Sequence, residues 1–208
     1  MQRQPDGKFI VLDGPEGCGK STQLRLLVEA LEKSGVPVLA VRDPGATRIG
    51  EQIRAILLNP DHAELSMRCE MLLYMAARAQ MMSQVILPAL GEGKLVISDR
   101  FVSSTLAYQS GGEGLTDDQI RAVADVAIQQ RHPDLVLLLD MPPERSFQRL
   151  QRAKDRIEQR PPAYHARVRE NYLKLAKHDP DHYRVIPADR TIEAVHQDIL
   201  AAVREIGL

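Results

Sequence analysis

Five short runs of near-continuous apolar residues, at 8–12, 36–41, 94–98, 135–140 and 183–186, alternate with longer stretches in which apolar positions recur every three or four residues. Runs without polar alternation predict strands buried on both faces, as in a parallel sheet covered by helices. The intervening periodicity predicts helices at 20–33, 48–57, 67–87, 102–108, 116–130, 143–152, 163–178 and 192–206. Thr116 and Gln119 have capping-box spacing, Pro88 is expected to close the third helix, and Pro133 to end the fifth. The alternation of strand and helix predicts a doubly wound α/β sandwich with a five-stranded parallel sheet. No repeat, low-complexity tract or linker divides it, so residues 1–208 are expected to form a single domain. In such folds ligand-binding groups follow the carboxyl ends of the strands.

Composition narrows the partners. Twenty-seven basic and 28 acidic residues give a net charge of −1, with both signs interspersed. There is no global basic field of the kind that holds nucleic acid or an anionic membrane, so the expected partner is a small molecule. No segment approaches a membrane span and residues 1–7 lack an apolar signal core, which predicts a cytoplasmic protein. Cys18 and Cys69 suit a reducing compartment and read as small fillers. Of the six histidines, His178 and His182 are four apart, but Pro180 breaks the helix that would align them as metal ligands.

The first strand-to-helix junction carries the strongest chemical signal. Gly14-Pro15-Glu16-Gly17-Cys18-Gly19-Lys20-Ser21 is a complete G-x-x-x-x-G-K-[ST] loop, followed by Thr22 at the start of a helix. The glycines let successive N–H groups converge on a phosphate, Lys20 reaches the β and γ oxygens, and Ser21 is placed to ligate Mg²⁺. A dinucleotide fingerprint, G-x-G-x-x-G, is absent. Glu16 is unusual in an anion-binding loop, because its charge repels a phosphate; it reads as a solvated carboxylate or as a group near a bound acceptor.

Other segments extend the pattern. Arg42-Asp43-Pro44-Gly45-Ala46-Thr47 follows the second strand, and Asp99-Arg100-Phe101 leads to Thr105 and Ala107-Tyr108-Gln109 after the third. Tyr74 and Arg78 are four apart on the long helix, and Asp155-Arg156-Ile157-Glu158 lies in a basic stretch bearing Arg149, Arg152, Lys154 and Arg160, ahead of Arg167-Val168-Arg169 and Tyr172. In this order, over nearly the whole chain, the motifs resemble the thymidylate kinases. The resemblance implies a nucleoside-monophosphate-kinase-like fold and phosphorylation of dTMP by ATP with Mg²⁺. It implies a lid near 149–161 and a homodimer through the helix at 67–87, where Met71, Met75 and Met82 form a stripe that otherwise reads as core.

The chemistry agrees with the resemblance. A nucleoside monophosphate attacks through a phosphate oxygen that is mostly dianionic at neutral pH, since its second pKa lies near ~6, so no general base is required. The obstacle is charge, and Arg, Lys and Mg²⁺ ligands address it. Asp99 reads either as a helix cap or as a holder of Mg²⁺ and its water shell. Arg100 and Arg42 read as surface charges or, on the resemblance, as clamps on the acceptor phosphate. Tyr74 and Arg78 read as a packing pair or as the stack and donor for thymine. On the same resemblance Thr105 approaches the base edge, Tyr108 crowds a 2′-hydroxyl, and Gln109 is their polar neighbour.

Because Gly17 follows Glu16 where some members carry a loop arginine, the catalytic charge is expected on the lid, from Arg152 and Lys154 with Arg149, Arg156 and Arg160 as further candidates. Arg149 is also placed to stack on adenine opposite Pro187-Ala188-Asp189. Departures from the family pattern are Asp43 for Glu, Ala46 for Gly, Phe101 for Tyr or His, and a lid about two residues short. Two rivals fit less of the chain. Another nucleoside or nucleoside-monophosphate kinase would differ mainly in the acceptor pocket, and a small GTPase would need the Asn-Lys-x-Asp motif that is missing here.

Overall fold

The computed structural model describes residues 7–111, 115–150 and 153–208. Five parallel strands, β1 (Phe9–Asp13), β2 (Val38–Arg42), β3 (Leu95–Asp99), β4 (Leu135–Asp140) and β5 (Tyr183–Pro187), form one sheet in the order β2-β3-β1-β4-β5. Every residue of β1 is fully buried, as its unbroken apolar run predicts. Its two faces feed different cores. Ile10 and Leu12 pack with α1 (Lys20–Lys33) and α9 (Ile192–Glu205), whereas Phe9 and Val11 pack toward the far end of α3 (Met67–Met81). Phe9 meets Phe101 edge-on, with ring centroids 4.9 Å apart. A third cluster joins Met71 and Met75 to α5 (Val102–Gln109), α6 (Asp117–Ile128) and α8 (Pro162–His178). The remaining helices are α2 (Arg48–Leu58), α4 (Leu87–Gly91) and α7 (Pro143–Gln148).

Leu12 is in register with Asp99, so β1 and β3 end within one residue of each other, while β4 continues two residues past Leu138, the partner of Asp13. The loop leaving β1 therefore emerges at mid-sheet, beside the end of β3.

Three local expectations are corrected. Pro88 does not close the long helix: after α3 the chain widens into a π-helical segment, Met82–Ile86, and continues into α4 with Pro88 in its first turn. The wide turn accommodates a residue that lacks an N–H and whose ring crowds the preceding turn. Nor does Pro133 end α6. Gln129 and Gln130 adopt left-handed backbone angles, φ 51° and 57°, several residues earlier. The seventh helix stops at Gln148. Thr116 and Gln119 do form the expected reciprocal capping box. Met71, Met75 and Met82 are buried within the chain, so the methionine stripe is core. Among the described residues, no helix is long and apolar enough to cross a membrane.

Candidate active site

A cleft of about 760 Å³ opens above the carboxyl ends of the strands. Glu16 through Gln23 line its middle. One end is walled by Arg42, Asp43, Tyr74, Arg78, Thr105 and Tyr108, and the other by Arg149, Ala188, Thr191, Ile192 and Val195. The loop turns into α1 through Gly19, whose left-handed φ of 101° suits glycine. Lys20 Nζ donates to the carbonyls of Gly14 (2.9 Å) and Pro15 (2.7 Å). Cys18 is buried 3.7 Å from the same ammonium, and burial pushes its thiol pKa up, so it serves as loop packing.

Arg100 follows β3 with φ 73°, a left-handed turn supported by the Ser98 hydroxyl, which donates to the Arg100 carbonyl at 2.6 Å. That turn sends the guanidinium back over the phosphate loop. Nη1 donates to Gly14 O (3.0 Å), Ser104 Oγ (3.1 Å) and Tyr172 OH (3.2 Å), and Nη2 to Glu16 Oε1 (3.1 Å). Beneath it lies Asp13, the last residue of β1, fully buried and accepting from Ser103 (2.6 Å), Ser104 (2.7 Å) and Tyr172 (2.6 Å). Asp13 escaped the sequence reading. Its one signal is a carboxylate ending an otherwise apolar strand just before the glycine.

Glu16 is not a solvated loop carboxylate. It accepts from Arg100 and, at 2.5 Å, from the Tyr108 hydroxyl. Burial alone would raise its pKa, but Arg100, Lys20 and Tyr108 together hold it below the ordinary value. Asp99 lines the cleft with its Oδ1 buried and unpartnered.

At the α3–α5 end, Arg78 is 1% exposed and pairs with Asp43 through Nε at 2.6 Å. It also donates to Met75 Sδ, Phe101 O and Thr105 Oγ1. Of its five N–H groups these leave one for a ligand. Burial outweighs Arg78 at Asp43 and pushes that carboxyl up. The Tyr74 phenol is likewise pushed up by burial. Arg42 lies on the rim, where its Nη2 donates to both carboxylate oxygens of Glu51 (3.0 and 3.1 Å). Gln109 faces away from solvent and donates to Glu70 at 2.6 Å.

The lid residues divide differently from expectation. Arg149 stands at the cleft 3.9 Å from Asp189, which also pairs with Arg145. Lys154 is exposed, 5.0 Å from the Phe147 ring centroid, and does not line the cleft. Arg152 lies outside the described residues. Arg156 and Arg160 are both committed to Glu70, at 2.5 and 2.8 Å, and Arg156 Nε also donates to Leu57 O. Glu70, completely buried on α3, was missed because nothing near it in sequence names its partners.

A phosphate loop at the middle of one cleft with the Arg100 guanidinium laid over it, on a sheet of this order, makes the protein a P-loop kinase of the nucleoside-monophosphate type. Residues 12–199 match the family model of thymidylate kinase. The chain belongs to the thymidylate kinase family. It is 50% identical over 203 residues to a thymidylate kinase of Pelotomaculum thermopropionicum, covering 96% of this chain and 94% of the relative. A thymidylate kinase of an Exiguobacterium species is 45% identical, covering 93% and 92%. The crystal structure of the Ehrlichia chaffeensis thymidylate kinase superposes with a TM-score of 0.78 at 30% identity, covering 96% of this chain and 99% of that one.

Proposed function

We propose that this chain transfers the γ-phosphoryl group of ATP directly to the 5′-phosphate of dTMP, giving dTDP for dTTP synthesis. The observation that carries the reading is one continuous cleft with a phosphate loop at its middle, Tyr74, Arg78 and Thr105 at one end and Ala188, Ile192 and Val195 at the other. Donor phosphates belong on the loop N–H groups, on Lys20 and at the N-terminus of α1. Arg100 clamps the acceptor phosphate, with Arg42 at the rim, and brings the two anions into line. Tyr74 stacks on thymine, the spare Arg78 N–H and Thr105 meet its edge, and Tyr108, braced by Glu16, occupies the space of a 2′-hydroxyl. Arg149 covers the donor base, and Arg152 and Lys154 supply lid charge when the lid closes.

The donor set fits Mg²⁺: Ser21 on the loop and Asp99, whose Oδ1 is buried and unpartnered, would be the oxygen ligands and water-holders a hard cation takes. When bound, Mg²⁺ would neutralise charge on the donor's β- and γ-phosphates.

The chain is read as one kinase domain, working in the cytoplasm where both nucleotides are available. A homodimer fits the neighbouring surfaces of α2, α3 and α6, which expose Ile49, Ile56, Leu72 and Val126. Sedimentation of Leu72→Glu should then show a monomer where the unmodified chain is a dimer.

The function is tested by ADP release with ATP, Mg²⁺ and a panel of monophosphates. dTMP should be the preferred acceptor, and equal use of UMP, dCMP or AMP would refute the pocket assignment.

A further inference from the structure

At the β5–α9 end of the cleft one buried polar atom has no partner. Gln23, on α1 two residues beyond Ser21, is 3% exposed. Its Nε2 donates to the carbonyl of Ile192 at 2.9 Å, while its Oε1 is buried and unbonded. Of the described residues lining this end, Gln23 alone carries such an atom. Its neighbours Ala188, Ile192 and Val195 are apolar and suit the faces of a planar ring.

We infer that Gln23 is the residue that reads the donor base, its Oε1 accepting a hydrogen bond from the 6-amino group of adenine and so selecting ATP over 6-oxo purine triphosphates. This deepens the function proposed above and rests on it, because the loop must hold the donor's phosphates. With those phosphates fixed at mid-cleft and the acceptor at the α3–α5 end, the donor base has only the β5–α9 end to occupy. The chemistry of the amide then decides what is recognised. A backbone carbonyl only accepts, so the Gln23 amide cannot reverse without setting two oxygens against each other. Its free group is therefore held as an acceptor, and the matching ligand group must be a donor. Adenine presents an amino group at C6, whereas guanine and hypoxanthine present a carbonyl there. A buried acceptor facing that carbonyl loses its partner and gains a repulsion, which is how a polar site rejects a near-isostere.

The test compares three donors with dTMP saturating and dTDP quantified directly: ATP, purine riboside 5′-triphosphate (no substituent at C6) and ITP (6-oxo). In the unmodified enzyme kcat/KM should fall about 10-fold for the unsubstituted purine and about 100-fold for ITP. Gln23→Met, which keeps length and loses both polar groups, should lower kcat/KM for ATP to the level of the unsubstituted purine and compress the ATP-to-ITP ratio to within about threefold. Equal use of ATP and the unsubstituted purine by the unmodified enzyme overturns the inference even if the variant does not fold. So does a folded Gln23→Met that keeps the original ratios. Failure of all three donors to yield dTDP refutes instead the reading of the cleft on which this one depends.

Discussion

Replacing Glu70 by alanine removes the negative centre that ties the C-terminal part of the lid segment to α3. Glu70 is fully buried and accepts from Gln109, Arg156 and Arg160. Deleting one partner of a buried ion pair costs about 3–5 kcal/mol, because the other charge is left without compensation. The two guanidiniums differ in escape. Arg160 is 19% exposed and can turn to water, whereas Arg156 is 7% exposed and pinned by the carbonyl of Leu57. One stranded charge, not two, places the loss in the lower part of that range, about 3–4 kcal/mol. For a chain of this size each kcal/mol shifts Tm by roughly 2–4 °C, so the expected fall is about 6–16 °C. Calorimetry or circular dichroism under reversible conditions reads it directly. A second variant, Glu70→Leu with Arg156→Met, removes the charge pair together and should recover part of the loss. A fall of less than about 3 °C for Glu70→Ala would refute the assignment of a buried ionic anchor.

Lys20→Ala and Arg100→Ala should each lower kcat/KM by at least ~10²-fold through lost charge stabilisation, and near-normal turnover in both would remove the mechanism. Tyr108→Ala should narrow the preference for dTMP over ribo-TMP, measured as a ratio of kcat/KM; an unchanged ratio refutes the steric role. Burial against Phe147 lowers the His165 pKa from its ordinary 6.5, with Glu16 opposing. The unfolded chain therefore gains a proton first as pH falls, so the stability His165 confers is present above about 6.5 and is lost as pH drops through the folded pKa. His165→Gln should flatten the decline of Tm between about pH 7 and 5 relative to the unmodified protein, and an identical slope would contradict it.

What was legible in the sequence was what is local. A strand such as β1 announces itself because all five of its residues are buried, and the phosphate loop because its motif falls within eight consecutive residues. Charge was legible as charge, but not as partnership. Arg156 and Arg160 read as lid donors, and their carboxylate stands 86 and 90 positions away on the buried face of α3. Asp13 meets Tyr172 across 159 positions, and Gln23 meets Ile192 across 169. A lone polar residue among apolar neighbours shows that a partner must exist, because burial without one is costly, yet it does not say which. Pro88 failed for the converse reason: a local rule was overridden by a widened turn that only the packed helix reveals.

Gly17 shows why the source of positive charge is constrained by packing. Its φ is 70°, and a Cβ built there would lie 2.2 Å from the backbone oxygen of Ser146, with Leu150 next to it. α7 thus sits directly against the phosphate loop, and a side chain at this position displaces it. An arginine here would face left-handed strain of about 1–2 kcal/mol in addition to that collision with backbone. Gly17→Arg should therefore reduce kcat/KM for ATP by at least about 10-fold despite adding a cation beside the transferring phosphate. Gly17→Ala, which adds the collision without the charge, should lose activity in the same direction. If Gly17→Arg matched or exceeded the unmodified enzyme, α7 would have to be free to move off the loop. Its close seat would then not be what keeps side chains out of this position.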